Sequence, residues 1–360
     1  MLDEYIKKSI FMKKKMLKLH FLIYLFTGIL MQTLQPVLAQ KAHLYSVGFY
    51  NVENLFDTEN NSEKFDDDYT PEGRIRWSKT LLNQKINQLA FVLSNVGKKE
   101  TKRPPLIIGL AEIENHKVLE LLINHPLLKP YKYGIIQYES PDFRGIDVAF
   151  LYQKEHFTPT NHKPYELELV DSKSQSPRTT RDQLVVSGYL GEEEVYFIVN
   201  HWPSRRGGAR KSASSRMKAA RLHQKISDSI SRLQDEVRII SMGDFNDNGN
   251  NKSLRYLTQK HKYHKIIYDN QMNLLYKKGI GTLAYNDQWF LFDQFLTSPD
   301  WKKDSNLKVI GVKVYNPPYL RNPEGRYKGY PYRVQINGNQ LSGYSDHFPV
   351  YLLIAKRVSD

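Results

Sequence analysis

No cysteine occurs among the 360 residues. That excludes disulfide staples, thiolate metal sites and a cysteine nucleophile together, leaving oxygen and imidazole as the metal donors. Acidic residues are also scarce: 38 Asp and Glu stand against 52 Lys and Arg, a formal charge of +14. A basic surface draws polyanions such as nucleic acid or anionic lipid and does not choose between them. Long apolar runs are missing too. The longest, FLIYLFTGILM from Phe21, is shorter than the roughly 20 residues that cross a bilayer. It follows Lys13, Lys14, Lys15 and Lys18, and the small residues of VLA end at Ala39. A positive head, a short apolar middle and a small residue at the end predict a secretory signal peptide over residues 1–39, with Met12 or Met16 as alternative starts. No cysteine precedes the cleavage point, so a lipoprotein anchor is excluded. The expectation is an exported protein, periplasmic or extracellular, without a stable membrane anchor. The leader's six lysines and two acids account for +4, so +10 stays on residues 40–360.

Beyond the leader, no repeat or long linker interrupts the pattern. Runs rich in Val, Ile, Tyr and Phe recur between polar turns: HLYSVGFY, LIIGLA, IDVAFLY, QLVVSGYL, EVYFIVN, VRIISMG, FLFDQFLTS, LKVIGVKVY and FPVYLLI. LIIGL and RIISM are apolar on both faces and predict interior strands. Leu81, Leu82, Ile86, Leu89, Ala90 and Leu93 form a helical stripe within Trp77–Val96. His116–Ile123 and Ser212–Leu233 read as further helices. Many strands with few helices predict two packed sheets with helices outside, in one α/β domain spanning 40–360.

Chemistry-bearing residues gather where these runs end, on loops that rigid strands hold in place. Asn51 and Glu53 in FYNVENLFD are two apart at a strand end, and the period of two predicts that both face one pocket. Glu112 lies directly behind a buried strand, where a carboxylate is costly without a partner. A hard cation suits it, because Mg2+ takes one or two carboxylates and keeps its other positions for water and phosphate. Glu114 reads as a cap on the next helix. His201 ends EVYFIVNH; a histidine there is more often packed than catalytic, and the residues alone leave both readings open. Asp244 and Asn246 in MGDFNDN share a face and make a pair suited to holding and deprotonating a water. Asp247 and Asn248 make the turn that follows. Asp293, inside an apolar run, needs a partner, and His347 in SDHFPV is the natural one, its tautomer fixed and its charge favoured by a carboxylate. Asp346 reads as a further metal or water ligand.

The ordered set N-x-E, E, NHWPS, GDFN, FDQFLTS and SDHFPV resembles the endonuclease/exonuclease/phosphatase superfamily, also called DNase I-like, over essentially all of residues 40–360. The resemblance implies a four-layered α/β sandwich of two packed mixed β-sheets flanked by helices, with the active site at one end of the sheets. It implies Asn51 and Glu112 on metal and phosphate, with Glu53 standing where many members carry Asp. Asp244 and Asn246 would position and activate water, and His347, oriented by Asp293, would contact the scissile phosphate. His201 matches a position that is His in DNase-like members and Tyr in abasic-site endonucleases, and is the candidate proton donor. The implied reaction is in-line attack of water on phosphorus with one Mg2+, Mn2+ or Ca2+ being the other options.

The substrate is less legible. Arg205, Arg206 and Arg210 follow His201 and are read as phosphate contacts, in a segment that continues through Lys211, Arg216, Lys218 and Arg221. Lys218 and Arg221 equally suit a solvated helix face. From Pro317 to Arg333, tyrosines interleave with Arg and Lys, a pattern that stacks bases while gripping a backbone or packs loop prolines. Arg144, Asp147, Arg178 and Arg181 are candidates for supporting the site from behind. Three readings stand: an exported endonuclease on nucleic acid; a phosphodiesterase or phosphatase on phospholipid, sphingomyelin or small phosphoesters; and a binding protein keeping only the fold. Retention of Asp244, Asn246, Asp293 and His347 opposes the third. The leader opposes a chromosomal repair role. No protein partner is inferred, and a monomer is expected.

Overall fold

The chain divides into two units, residues 1–41 and 42–360. A computed structural model describes residues 1–33, 42–170, 176–303, 305–336, 339–340 and 343–357. In the first unit, Leu2–Thr33 is a single helix, α1. No described helix is long and apolar enough to cross a membrane. The expected cleavage point after Ala39 lies outside the described residues.

The second unit is built on strands β1 (Ala42–Leu55), β2 (Ile107–Ile113), β3 (Tyr133–Gln137), β4 (Asp147–Gln153), β5 (Phe157–Tyr165) and β6 (Gln183–Leu190). They are followed by β7 (Glu193–His201), β8 (Arg238–Asp244), β9 (Asp269–Asn270), β10 (Asp293–Thr297), β11 (Leu307–Val314) and β12 (Val350–Arg357). Sheet one runs β11-β12-β1-β2-β4-β3 and sheet two β9-β10-β8-β7-β6-β5. Each sheet has one parallel pair at its centre, β1 with β2 and β7 with β8, while the remaining pairs are antiparallel. Parallel neighbours cannot be joined by a hairpin. Helix α2 (Lys79–Asn95) makes the first crossover and α4 (Ala209–Ile230) the second, with α3 (His116–Ile123) and α5 (Lys252–Thr258) beside them.

Burial fixes the layers. Leu82, Ile86, Leu89 and Leu93 of α2 join Val118 and Leu122 of α3 on the outer face of sheet one. Ala219, Ala220 and Ile226 of α4 and Leu254 and Leu257 of α5 cover the outer face of sheet two. Between the sheets, Phe49, Ile107, Phe150 and Leu352 meet Phe197, Val199, Ile240, Met242 and Phe295. The result is the expected helix–sheet–sheet–helix sandwich. The predicted α2 is present, with Ser78 accepting from the Leu81 N–H at 3.4 Å as its N-cap. Strand β5 was hidden in the sequence by Pro159 and Pro164, which it tolerates because it is an edge strand. Also unread was a hairpin, Leu283–Tyr285 against Gln288–Phe290, turned by Asn286 and Asp287 at φ 48° and 57°.

This topology places the site. Asn51, Glu112, His201 and Asp244 all stand at or near the C-terminal ends of the four parallel strands, the usual position for a ligand site in open α/β sheets. Gly243 keeps β7 and β8 close there: a Cβ on it would fall 2.3 Å from the Asn200 carbonyl oxygen. In the core, Phe197 is fully buried with its ring centroid 5.2 Å from Phe150 and 5.6 Å from Phe157. Phe197→Ala is expected to destabilise the fold by about 3–5 kcal/mol in urea denaturation. A loss below about 1 kcal/mol would contradict this account of the inter-sheet core.

Candidate active site

The site straddles the seam between the sheets. Asn51, from sheet one, donates its Nδ2 to Glu112 Oε1 at 3.3 Å and to Asp244 Oδ2, across the seam, at 3.2 Å. His201 Nε2 lies 3.6 Å from Asp244 Oδ2 and 3.8 Å from Glu112 Oε1. Two carboxylates and an amide therefore converge with a histidine. The local backbone is shaped for it: Glu112 is a bulged residue between the Ala111 and Ile113 registers, at φ 67°. Glu53 and Asn54 are left-handed too, at φ 53° and 58°, within the register shift between Asn51 and Leu55. The loop they form turns the Asn54 N–H onto Glu112 Oε2 at 3.1 Å and the Glu53 N–H onto Asn51 Oδ1 at 3.1 Å.

The other half comes from residues that open strands. Asp293 is paired with Asp244 across β10 and β8, and its Oδ2 accepts from His347 Nδ1 at 2.7 Å. Among the described residues its Oδ1 is buried without a hydrogen-bond partner. Ser345 seats this loop by donating to the Asn51 carbonyl at 2.7 Å and accepting from the His347 N–H at 3.1 Å. His347 Nε2 then faces Asp244 Oδ2 at 3.9 Å. Asn246, at φ 52°, donates its N–H to Asp244 Oδ1 at 2.9 Å and its Nδ2 to the Trp202 carbonyl at 3.0 Å. Every element of the ordered motif set thus meets at one end of the sandwich, and residues 46–356 match the Endonuclease/Exonuclease/phosphatase family. The chain belongs to that family.

Its fold is similar to that of solved structures with low sequence identity. An endonuclease/exonuclease/phosphatase family protein from Bacteroides thetaiotaomicron is 16% identical, with 89% of this chain and 98% of that one covered at a TM-score of 0.53. A mannosyl-6-phosphatase from the same organism is 17% identical, with 86% and 99% covered at 0.52. D. rerio TDP2 complexed with a single-strand DNA product is 13% identical, with 86% and 98% covered at 0.53. No curated protein matches the chain. The superfamily is one of phosphoester hydrolases.

The donor set fits a divalent cation. Ligand atoms of Asp244, Asp293 and His347 lie within 4.8 Å of one another. Asp293 and His347 already engage each other, however, so Asn51, Glu112 and Asp244 offer the better all-oxygen set for a hard ion. Burial opposes charge on His347, but Asp293, Asp346 and Asp244 together hold its pKa well above the ordinary value. His201 goes the other way: burial, then Arg181, Arg144 and His347, push it well below. The surroundings of the two site histidines therefore push them in opposite directions.

Several expectations need correction. Glu53 does not face the pocket, because the left-handed pair at 53–54 breaks the period of two; its carboxylate instead accepts from Arg333 Nε at 2.9 Å and the Val334 N–H at 2.9 Å. Asp346 is paired with Arg333 Nη2 at 3.2 Å at the edge of the site. The α3 cap is Asn115, which accepts from the Val118 N–H, and Glu114 accepts from the Asp57 N–H. Arg205 does not reach out for substrate: it donates to the Asn246 carbonyl at 2.9 Å and the Asp247 carboxylate at 2.8 Å, and lies over the Phe292 ring. Arg216 is buried against Asp247 at 2.9 Å, so Asp247 anchors two arginines as well as turning the chain. Arg206, Arg210, Lys218 and Arg221 are exposed. Arg181 supports from behind, donating to Asp142 at 3.2 Å and the Trp202 carbonyl at 2.8 Å. Lys85 was missed, since it sits in a helical stripe; it is buried and donates to the Tyr344 carbonyl at 2.7 Å.

Burial also sets the response to pH. It pushes Glu53 up to about 7, Glu114 to about 8, Asp147 to about 7 and Asp244 to about 7. It pulls His223 down to about 3 and His201 well below its ordinary value. Unfolded acids titrate near 4 and unfolded histidine near 6.5. The native acids keep protons that the unfolded chain has released, so their part of the stability falls as pH rises to their folded values. The depressed histidines raise stability with pH only below about 6.5. Lys85, lowered by burial to about 8, adds stability only above that value. Metal-free protein is therefore expected to lose thermal stability between about pH 6.5 and 8. A midpoint that holds level or rises across that interval in EDTA contradicts these burial effects.

Proposed function

We propose that this chain is an exported, metal-dependent phosphodiesterase that cleaves nucleic-acid phosphodiester bonds internally, with residues 1–39 as its leader and 40–360 as its catalytic domain. The observation that carries the reading is the convergence of Asn51, Glu112, Asp244, His201 and the Asp293–His347 pair on one seam. Exposed Arg206 and Arg210 beside it, and the basic balance of the domain, favour a polyanionic substrate. So does the fold shared with D. rerio TDP2, whose structure holds a single-strand DNA product.

Asn51, Glu112 and Asp244 would hold Mg2+, with Mn2+ or Ca2+ as substitutes; when bound, the ion supplies charge stabilisation to the phosphoryl oxygens. Asp244 Oδ1 is oriented by the Asn246 N–H, and Asn246 Oδ1 is the uncommitted atom of its amide, so this pair positions the attacking water. His347, cationic through Asp293, donates from Nε2 to a non-bridging phosphoryl oxygen, where negative charge grows. His201 is neutral, so it serves as a hydrogen-bond donor to the phosphate or the leaving oxygen rather than as an imidazolium acid.

A second reading, phosphatase action on a small phosphoester, is favoured by the equal likeness to the mannosyl-6-phosphatase fold. Supercoiled plasmid separates the two. The full-length protein is expected to nick it with Mg2+, to stop in EDTA, and to lose at least about 100-fold of its rate in His347→Ala. Plasmid left intact by folded protein that releases phosphate from mannose 6-phosphate would replace the nuclease reading with the second.

A further inference from the structure

The hairpin Leu283–Tyr285/Gln288–Phe290 is joined to the site at both ends. The Thr282 N–H donates to the Phe290 carbonyl at 2.7 Å, and the Thr282 carbonyl accepts from the Phe348 N–H at 2.7 Å. Phe348 follows His347 directly, and Asp293 lies three residues beyond Phe290. Trp289 stacks on Phe348 with ring centroids 6.1 Å apart and planes at 18°. Tyr330 meets the same indole edge-on at 5.5 Å and donates its hydroxyl to Asp287 at 2.7 Å. Tyr327 lies 6.0 Å from Tyr330 and carries Arg326 over its ring at 5.8 Å. Despite this backing, Trp289 and Tyr327 are each 40% exposed and Tyr285 is 67% exposed.

We propose that Trp289 and Tyr330, with Tyr327 and Arg326 beside them, form a platform that stacks a nucleobase of the substrate next to the phosphoester at His347. The proposal rests on the nucleic-acid reading of the site and names the part of the nucleotide that the rim recognises. Large aromatic surface left open beside a polar site marks a ligand contact, and rings interleaved with cations bind a single strand by stacking plus charge. From Arg321 to Arg333 the segment carries Arg321, Arg326, Lys328 and Arg333 against Glu324 alone. The hairpin tip is Asn286-Asp287, polar and acidic, whereas a hairpin that enters a bilayer needs apolar residues at its tip. A base, flat and able to lie on an indole, fits this surface.

Trp289 supplies its own signal, because Trp77, Trp202 and Trp301 are buried. Full-length protein in EDTA is titrated with a single-stranded dodecamer of deoxyadenylate, with an abasic dodecamer of equal charge, with adenosine 5′-monophosphate and with ribose 5-phosphate. The adenine-bearing probes are expected to quench tryptophan emission and the base-free ones to leave it unchanged. With Mg2+, Trp289→Ala and Tyr327→Ala are each expected to raise KM for the dodecamer about tenfold, with most of the loss in KM rather than kcat, and Trp289→Phe to restore it. Equal binding of base-free and base-bearing probes overturns the platform, as does an unchanged KM in both alanine variants. Quenching by adenosine 5′-monophosphate without cleavage of any oligonucleotide would keep the platform and remove the nuclease reading. Cleavage without quenching would do the reverse.

Discussion

Asn51 donates one amide group to two carboxylates from different sheets, Glu112 at 3.3 Å and Asp244 at 3.2 Å. The geometry of the rest depends on that bridge. Buried carboxylates facing one another repel, and separately each would cost several kcal/mol to desolvate. The amide gives both an acceptor's share of one NH2 group without adding charge, so the seam stays open to a cation rather than being closed by a lysine or arginine. Asn51 thus stands as a neutral donor between two carboxylates.

Holding that cluster in place costs backbone strain. Glu53, Asn54, Glu112 and Asn246 all adopt left-handed conformations without being glycine, at roughly 1 kcal/mol or more each. Each strained residue sits within the site or no more than three residues from one that does, and each turns an N–H or a side chain toward it. Packing absorbs the strain: Tyr50, Val52, Leu55, Ala111, Ile113 and Phe245, which flank these positions, are fully buried. Lys85 and Arg333 do the corresponding work for the loop that carries His347: Lys85 joins the Glu53 and Tyr344 carbonyls, and Arg333 joins the Glu53 and Asp346 carboxylates.

Strand cores and the Asp293–His347 partnership were legible because each rests on a local rule: apolar runs predict strands, and a carboxylate in an apolar run demands a partner. Asp244 and Asn246 were legible for the same reason. Glu53 was misread because the period of two assumes an unbroken strand, and no local signal announces two left-handed residues in N-V-E-N. Arg205 and Arg216 were assigned outward because a sequence shows charge but not its counter-ion; Asp247, which engages both, looked like a turn residue. Lys85 was invisible within an apolar stripe, since long stems commonly carry a lysine's charge back to water. The hairpin at 283–290 was short, with three residues on each side, below the length at which alternation is readable.

The two histidines show why residue type alone could not assign roles. His347 has three carboxylates near it, one of them hydrogen-bonded to it, and these favour its charged form in a buried setting. His201 is as deeply buried, but its neighbours include Arg181 and Arg144, and its Nδ1 has no hydrogen-bond partner among the described residues. Two imidazoles therefore stand near the same Asp244 oxygen, at 3.9 Å and 3.6 Å, in surroundings that push their pKa values apart. Divergent environments for like groups are how a site separates its electrostatic and proton-handling roles. His347 stands on the seam, bonded to Asp293, and His201 stands at the end of β7 near Arg181. That division follows from where Asp293 and Arg181 lie in the sheets and loops, and so from topology more than from the motifs themselves.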